Sequence, residues 1–149
     1  MFHIKYSREV ILKILYQIDV LDIDEKISRK FLQDSLNYFR GLNNKEKDFI
    51  KMVVHKILED KSHIDELISK QLIGWSLKRL TPVDRNLIRM GIGESYFNEE
   101  KAVIIDDIVR IAKKYGEEDS YKIINAILDK VIQWKYYFFW FFSFSRSDR

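Results

Sequence analysis

The side chains that could support acid–base or metal chemistry are scattered along the sequence. The three histidines are His3, His55 and His63, and no HExxH-type cluster of metal ligands surrounds them. Paired carboxylates fall mostly at loops or predicted helix starts, where acids interact favourably with the helix dipole. These pairs are Asp22 with Asp24, Glu59 with Asp60, Glu99 with Glu100, Asp106 with Asp107, and Glu117 with Glu118. Catalysis needs a nucleophile or base held by a third group, and the sequence suggests none, so we predict no enzymatic activity, metal or cofactor.

Basic residues near aromatic ones indicate a different chemistry, because charge combined with base stacking is what binding of single-stranded RNA requires. Arg85 and Arg89 are four residues apart, so a helix would present both guanidinium groups on one face. Further cations lie around Gly116 and near the N-terminus, namely Lys113, Lys114, Lys122, Lys130, Lys5 and Arg8. The formal net charge is only +3, and a charged face is often merely solvated, so the pattern alone does not require nucleic acid.

Helices are the elements that would position these residues. The chain has 149 residues with one proline and five glycines, too few turn-forming residues for a fold of many short strands. It has no cysteine, which excludes disulfides and thiolate metal sites and fits a reducing cytoplasm. The first residues lack the apolar core and cleavage site of a signal peptide.

Apolar residues recur with helical spacing in seven segments, and capping residues mark several boundaries. The predicted helices cover 7–21 and 25–39, start at Asn43 or Asn44, at Ser62 and at Thr81, cover 103–115, and start again at Asp119 or Ser120. In the second of these helices Ile27 is predicted to face the core, and in the fifth Phe97 is predicted to continue the apolar face. Gly91 and Gly93 inside the fifth helix predict a close approach of another backbone or a kink. We therefore predict a compact all-α bundle of about seven helices in one domain, residues 1–133, with two small subdomains of roughly 1–78 and 79–133. Residues 134–149 form an aromatic C-terminal tail, which is too short for a membrane span. This tail could pack on the body, cover a groove, drive self-association or arise from an unintended reading frame.

Two stretches of sequence resemble the NusB family of transcription antitermination factors. The string LTPVDRNLIR at 80–89, followed by Glu94 and by VIIDDIVRIAKKYGEEDSYKIINAILDK at 103–130, is similar to the second half of that family. REVILKILY at 8–16 resembles its opening helix, whereas 22–72 matches only as a helical pattern.

The resemblance implies an all-helical, cytoplasmic transcription antitermination factor with no catalytic step. It implies binding of boxA, a short single-stranded RNA element of ribosomal RNA transcripts. It also implies a heterodimer with a small-subunit ribosomal protein, called NusE in this role. The pair would act indirectly on the RNA polymerase elongation complex and support ribosomal RNA synthesis.

The basic pattern and the resemblance together give two sets of candidate residues. The candidates for RNA binding are Lys5, Arg8, Tyr16, Asp119, Lys122 and Ile123. The candidates for partner binding are Asp84, Arg85 and Arg89. Asn125 matches a characteristic asparagine that we interpret as structural.

Two departures from the family pattern predict weaker RNA binding by the isolated chain. The N-terminus has Lys5 and Arg8 where relatives carry a run of arginines, so fewer phosphate contacts and a shallower salt dependence are expected. Ile123 replaces an aromatic residue found in some relatives, which removes a stacking platform worth about 1–3 kcal/mol per base.

Two other functions remain open from the sequence. The chain could be a NusB-like accessory RNA-binding module of an RNA-modifying system, since such domains also precede some RNA cytosine methyltransferases. It could also be a self-associating structural bundle, in which case large oligomers that exclude RNA are expected.

Overall fold

The computed structural model describes the backbone of residues 4–147 and the side chains of residues 4–133. This part of the chain folds into seven α-helices and one short 3₁₀ turn, without a strand, which confirms the all-helical prediction. The helices are α1 (Ile4–Val20), α2 (Glu25–Tyr38), α3 (Asn44–Glu59), α4 (Lys61–Ser69), α5 (Pro82–Glu94), α6 (Lys101–Tyr115) and α7 (Ser120–Ser147). The 3₁₀ turn, Leu77–Arg79, lies between α4 and α5.

Helix starts follow local capping chemistry where the sequence signal is strong. Asn43 accepts a hydrogen bond from the Glu46 N–H while the Glu46 side chain accepts from the Asn43 N–H, a complete capping box for α3. Thr81 caps α5, with Oγ1 accepting from the Asp84 N–H at 3.1 Å and Pro82 in the first turn. The predicted cap Ser62 is wrong, because Asp60 both ends α3 and precedes α4.

Helix α5 lies at the centre of the fold, with ten of its thirteen residues buried. It packs against α1, α3, α4, α6 and α7. A Cβ at Gly91 would lie 2.6 Å from Leu128 Cδ2 on α7, and one at Gly93 would lie 2.6 Å from Ile57 Cγ1 on α3. Residues two apart in a helix face nearly opposite directions. The two glycines therefore let α3 and α7 approach α5 closely from opposite sides.

Helix α2 differs from its prediction in which residues face the core. Ile27, predicted to point inward, is 60% exposed. Ser28 and Ser35 are buried instead, on the same face as Leu32 and Leu36. Each serine hydroxyl donates to a backbone carbonyl, so burial leaves neither hydroxyl unpaired.

A single cluster of buried apolar residues connects α1 with α7. The cluster extends across residues 78 and 79, so the division into two subdomains stays a prediction. Helix α7 continues into the aromatic tail as far as Ser147, but the predictions for the tail concern side chains outside the described residues. Within the part of the chain that the structure describes, none of the helices combines the length and the apolarity that a bilayer span requires.

Candidate RNA and partner surfaces

Lysines and tyrosines surround the short connection between α6 and α7. Lys113 Nζ lies 4.8 Å from the centroid of the Tyr121 ring, and Lys122 Nζ lies 5.9 Å from the same ring. Lys114 Nζ lies 5.1 Å from the Tyr115 ring. We call these five residues the α6–α7 cluster. The three lysines and Tyr115 are exposed, and Tyr121 is half-buried against the core. Cations beside aromatic rings are the chemistry that binding of single-stranded nucleic acid requires.

Gly116 lets the connection turn tightly. Its φ is not left-handed, so it differs from the left-handed helix stop that a glycine commonly provides. A Cβ at this position would lie 2.7 Å from the Ala112 carbonyl oxygen and 2.9 Å from Ser120 Cβ. Absence of a side chain therefore allows α7 to begin directly beside the end of α6.

The predicted RNA residues Asp119 and Lys122 are both exposed in this region. Lys122 Nζ lies 3.3 Å from Asp119 Oδ1, and 64% and 75% of the two side chains, respectively, are exposed. Ion pairs this exposed contribute little to stability, so Lys122 can exchange Asp119 for a phosphate at small cost. Ile123 is half-buried and packs against the hydrophobic core, in contrast to the outward position expected for an RNA contact.

The first turns of α1 lie beside the same surface. Glu9 accepts hydrogen bonds from Lys114 and Arg110, each at 3.2 Å to Oε1. Burial alone would raise the pKa of the Glu9 carboxyl, but the hydrogen bonds and charges of Lys114 and Arg110 outweigh it and lower that pKa. Lys5 is exposed one helical turn before Glu9, so it lies on the face of α1 nearest the α6–α7 cluster.

Arg8 is not a surface residue, and its predicted contact with RNA does not agree with the structure. It is 1% exposed, and its Nε and Nη2 donate to the two carboxylate oxygens of Glu94 at 2.7 and 2.6 Å. Its Nη1 donates to Asp107 Oδ2 at 2.9 Å. All three guanidinium nitrogens are engaged inside the fold, so the side chain joins α1 to α5 and α6.

The predicted partner residues Arg85 and Arg89 converge, but on an acid of α1 rather than outward. Arg85 donates to both carboxylate oxygens of Asp19, at 2.6 and 2.8 Å. Arg89 contacts Asp19 at 3.1 Å and forms two hydrogen bonds with Asp65 of α4. Asn86 completes this set, which we call the Asp19 cluster. The cluster holds α1, α4 and α5 together, and Arg89 is 6% exposed where an exposed partner contact was predicted.

Two opposing influences act on the Asp19 carboxyl. Burial by itself raises its pKa, whereas hydrogen bonds from Arg85 and Asn86 and the charges of Arg85 and Arg89 lower it. The lowering influences are the larger in sum, so Asp19 is ionised at neutral pH.

Asp84, the third predicted partner residue, is 6% exposed and connects the starts of α5 and α7. Its Oδ2 accepts a hydrogen bond from Ser120 Oγ at 3.0 Å, while Oδ1 has no hydrogen-bond partner among the described residues. Ser120 Oγ also accepts from the Glu117 N–H. Asp84 therefore positions the first turn of α7, which carries Tyr121 and Lys122.

Tyr16 and Val20 are exposed in the C-terminal half of α1, with 39% and 49% of the two residues accessible, respectively. They are four residues apart and lie on either side of Asp19 in sequence, next to the start of α5. We call this pair the α1 patch. Asn125, interpreted from sequence as structural, is instead exposed on α7 one turn after Lys122.

Sequence reasoning missed Tyr115 and Tyr121 as members of the exposed cluster. Each tyrosine stands next to a lysine in sequence, in Lys114–Tyr115 and Tyr121–Lys122, so alternation of charge and aromatic character was the available signal. This alternation indicates a common site only once the structure shows that the Gly116 connection brings the two pairs together.

The family model described as "NusB family" matches residues 5–133. A curated relative, the transcription antitermination protein NusB of Syntrophomonas wolfei, is 36% identical over 128 residues, covering 85% of this chain and 92% of the relative. The chain belongs to the NusB family of transcription antitermination proteins.

Two solved structures agree with this assignment. NusB of T. maritima superimposes with a TM-score of 0.74 and is 35% identical, covering 89% of this chain and 92% of that one. A structure of the antitermination factors NusB and NusE in complex with dsRNA contains a chain with a TM-score of 0.77 and 26% identity, covering 87% of this chain and 95% of that one.

Proposed function

We propose that this chain binds a boxA-like single-stranded RNA together with a ribosomal small-subunit protein acting as NusE, in the cytoplasm and without a catalytic step. The observation that carries this proposal is the α6–α7 cluster, which places three exposed lysines beside the exposed Tyr115 and the half-buried Tyr121. The similar NusB chain that was solved together with NusE and dsRNA supports both classes of partner.

The RNA surface is the α6–α7 cluster with Lys5, Asp119 and Asn125 at its edges. Tyr121 is half-buried, and a base would stack on the exposed part of its ring, since the neighbouring Lys113 and Lys122 can contact the flanking phosphates. Tyr121 would thereby replace the stacking function that Ile123 cannot provide.

The partner surface is the α1 patch with the outer edge of the Asp19 cluster. Tyr16 and Val20 offer exposed apolar area next to the half-buried Arg85. Tyrosine and arginine are enriched at the energetically important centres of protein interfaces. Asp84 and Arg89 support this surface from inside rather than contacting the partner.

A titration of fluorescently labelled boxA-like RNA, with and without the ribosomal protein, tests the proposal. Binding should tighten when the ribosomal protein is added, and a scrambled single strand and a duplex should bind more weakly. With three or four phosphate contacts, the logarithm of the association constant should fall against log salt with a slope of about −2 to −3. Absence of binding in moderate salt, with and without the ribosomal protein, would contradict it.

A further inference from the structure

One side of α3 carries half-buried basic residues that neither proposed surface uses. Lys47, Lys51 and His55 follow one another at four-residue intervals, so they lie along one side of the helix, about 6 Å apart. Among the described residues, none of the three has an ion-pair partner. Like charges four residues apart destabilise a helix, so Lys47 and Lys51 do not serve the stability of α3 itself.

A shallow groove runs beside these basic residues. Its volume is about 320 Å³, and it is lined by Lys51, Met52, His55, Lys56, Glu59 and Phe97. Met52 is 42% exposed and Phe97 is 45% exposed, although Phe97 was expected to continue the buried face of α5. Helix α5 ends at Glu94, and the following turn directs Phe97 toward α3.

The acids near this groove are mostly engaged, so its unpaired charge is positive. Lys56 Nζ lies 2.6 Å from Asp60 Oδ2 and 4.3 Å from the Tyr96 ring centroid, and the hydrogen bond to Asp60 raises the pKa of Lys56. Glu59 Oε1 lies 3.8 Å from Arg29 of α2. Asp48 is exposed and lies between Lys47 and Lys51 in sequence, so the net charge of these three residues is positive.

We propose that this face, the α3 groove, docks an acidic amphipathic helix of a second protein partner. Glutamates or aspartates of that helix would pair with Lys47 and Lys51, and its apolar side chains would enter between Met52 and Phe97. Amphipathic helices bind grooves through apolar residues three or four positions apart in sequence. Methionine adapts readily to different apolar partners. Single-stranded RNA fits less well, because Phe97 is the single phenylalanine or tyrosine ring among the lining residues, whereas successive bases stack on several rings. Lys51 is also the one lining lysine without an ion-pair partner among the described residues.

The α3 groove can be occupied while RNA is bound. Gly93 faces Ile57 of α3 and Gly91 faces Leu128 of α7, so α3 and α7 lie on opposite sides of α5. The groove also lies at the C-terminal end of α5, whereas Asp84 and Ser120 meet at its N-terminal end. A second protein on α3 would thus leave the α6–α7 cluster accessible.

Nuclear magnetic resonance of the isotopically labelled full chain tests the proposal. The probe is a synthetic helical peptide with glutamates on one side and leucine and phenylalanine on the other, and oligouridylate is the RNA probe. Peptide-induced shifts should be confined to residues 47–59 and to Phe97, with or without bound boxA-like RNA. Lys51→Glu and Phe97→Ser should each weaken peptide binding about tenfold or more.

Lys30→Glu on α2 is the matched control, because Lys30 is exposed, undergoes the same change of charge and does not line the groove. It should leave peptide binding within a factor of about two. The proposal is overturned if the peptide fails to shift the α3 groove, if Lys30→Glu weakens binding as much as Lys51→Glu, or if oligouridylate shifts these residues and the peptide does not.

Discussion

Arg8 and Glu94 form a two-point ion pair in the interior, with nitrogen–oxygen distances of 2.7 and 2.6 Å across 86 residues of sequence. Asp107 provides the second carboxylate, at 2.9 Å. Planar guanidinium matches this bidentate geometry in a way that a lysine ammonium cannot. The arrangement fixes the start of α1 against the end of α5 and the middle of α6.

Arg8→Ala should therefore act on folding rather than on RNA contacts. Removing the arginine leaves Glu94 and Asp107 buried without their cation, which should lower the free energy of unfolding by about 3–5 kcal/mol. Urea denaturation measures this loss. Lys5→Ala, three residues earlier and exposed, should leave stability nearly unchanged while weakening RNA binding. A stable Arg8→Ala variant with weakened RNA binding would restore the sequence-based role of Arg8.

Asp19 should make stability fall on acidification. Its pKa is lower in the folded than in the unfolded chain, so its contribution is complete above the unfolded value of about 3.9 and is lost as the pH falls through the folded value. Asp19→Asn should be about 1–3 kcal/mol less stable at pH 7 and should lose less stability on going to acid. Urea midpoints for both proteins from neutral to acidic pH measure the difference, and parallel pH profiles would contradict the prediction.

Ser120→Ala should loosen the start of α7. The Asp84 carboxylate would lose its Ser120 donor while Oδ1 already has no partner among the described residues, which should cost about 1–3 kcal/mol. RNA binding should weaken too, because Tyr121 and Lys122 lie in the affected turn. Ser62→Ala, at an exposed position of α4, is the matched control, with a change below about 0.5 kcal/mol. A double-mutant cycle with Asp84→Ala should show that the two losses are not additive.

Lys122→Glu should weaken RNA binding while leaving the helical content intact. The substitution replaces a cation of the α6–α7 cluster with an anion beside Asp119. One fewer phosphate contact should reduce the steepness of the salt dependence by about 0.7. Fluorescence anisotropy and circular dichroism measure the two effects. Equal weakening by Lys30→Glu would mean that only net charge matters.

Tyr16→Ser should weaken binding of the ribosomal protein more than binding of RNA by the isolated chain. It removes the aromatic member of the α1 patch, and truncating a central interface tyrosine typically costs about 2 kcal/mol or more. Tyr38→Ser is the matched control, because Tyr38 is 80% exposed on α2. Calorimetric titration measures the affinity of both variants for the ribosomal protein. An unchanged affinity of the Tyr16→Ser variant would place the partner surface elsewhere.

The sequence predicts best what depends on neighbouring residues. Thr81 and Asn43 cap their helices as expected, because each cap is made within four residues by backbone N–H groups. Gly91 and Gly93 were predicted to mark a close approach of another backbone or a kink, and in the structure it is side chains of α7 and α3 that approach them closely. Interactions between neighbouring residues are therefore sufficient to predict the helices and their order.

Contacts between distant residues were not predictable from a single sequence. In the sequence, Arg8 and Arg89 cannot be distinguished from surface cations. The acids that pair with them lie on other helices, and nothing in the sequence identifies those acids as partners. Ile27 was wrongly predicted to face the core, because a search for apolar periodicity passes over serines. Ser28 and Ser35 are buried on the core-facing side of α2. Asn125 was interpreted as structural from its match to a characteristic asparagine of the family, whereas the structure leaves it exposed.

The distance in sequence between Arg8 and its acids also bears on how the chain is made. A ribosome releases α1 long before Glu94 and Asp107, which follow Arg8 by 86 and 99 residues. Until both acids have emerged, α1 presents a cation that the finished fold encloses, and Ile57 has no α5 to pack against. Arg8 therefore forms its ion pairs, and α1 its packing against α5 and α6, only after those two helices have left the ribosome.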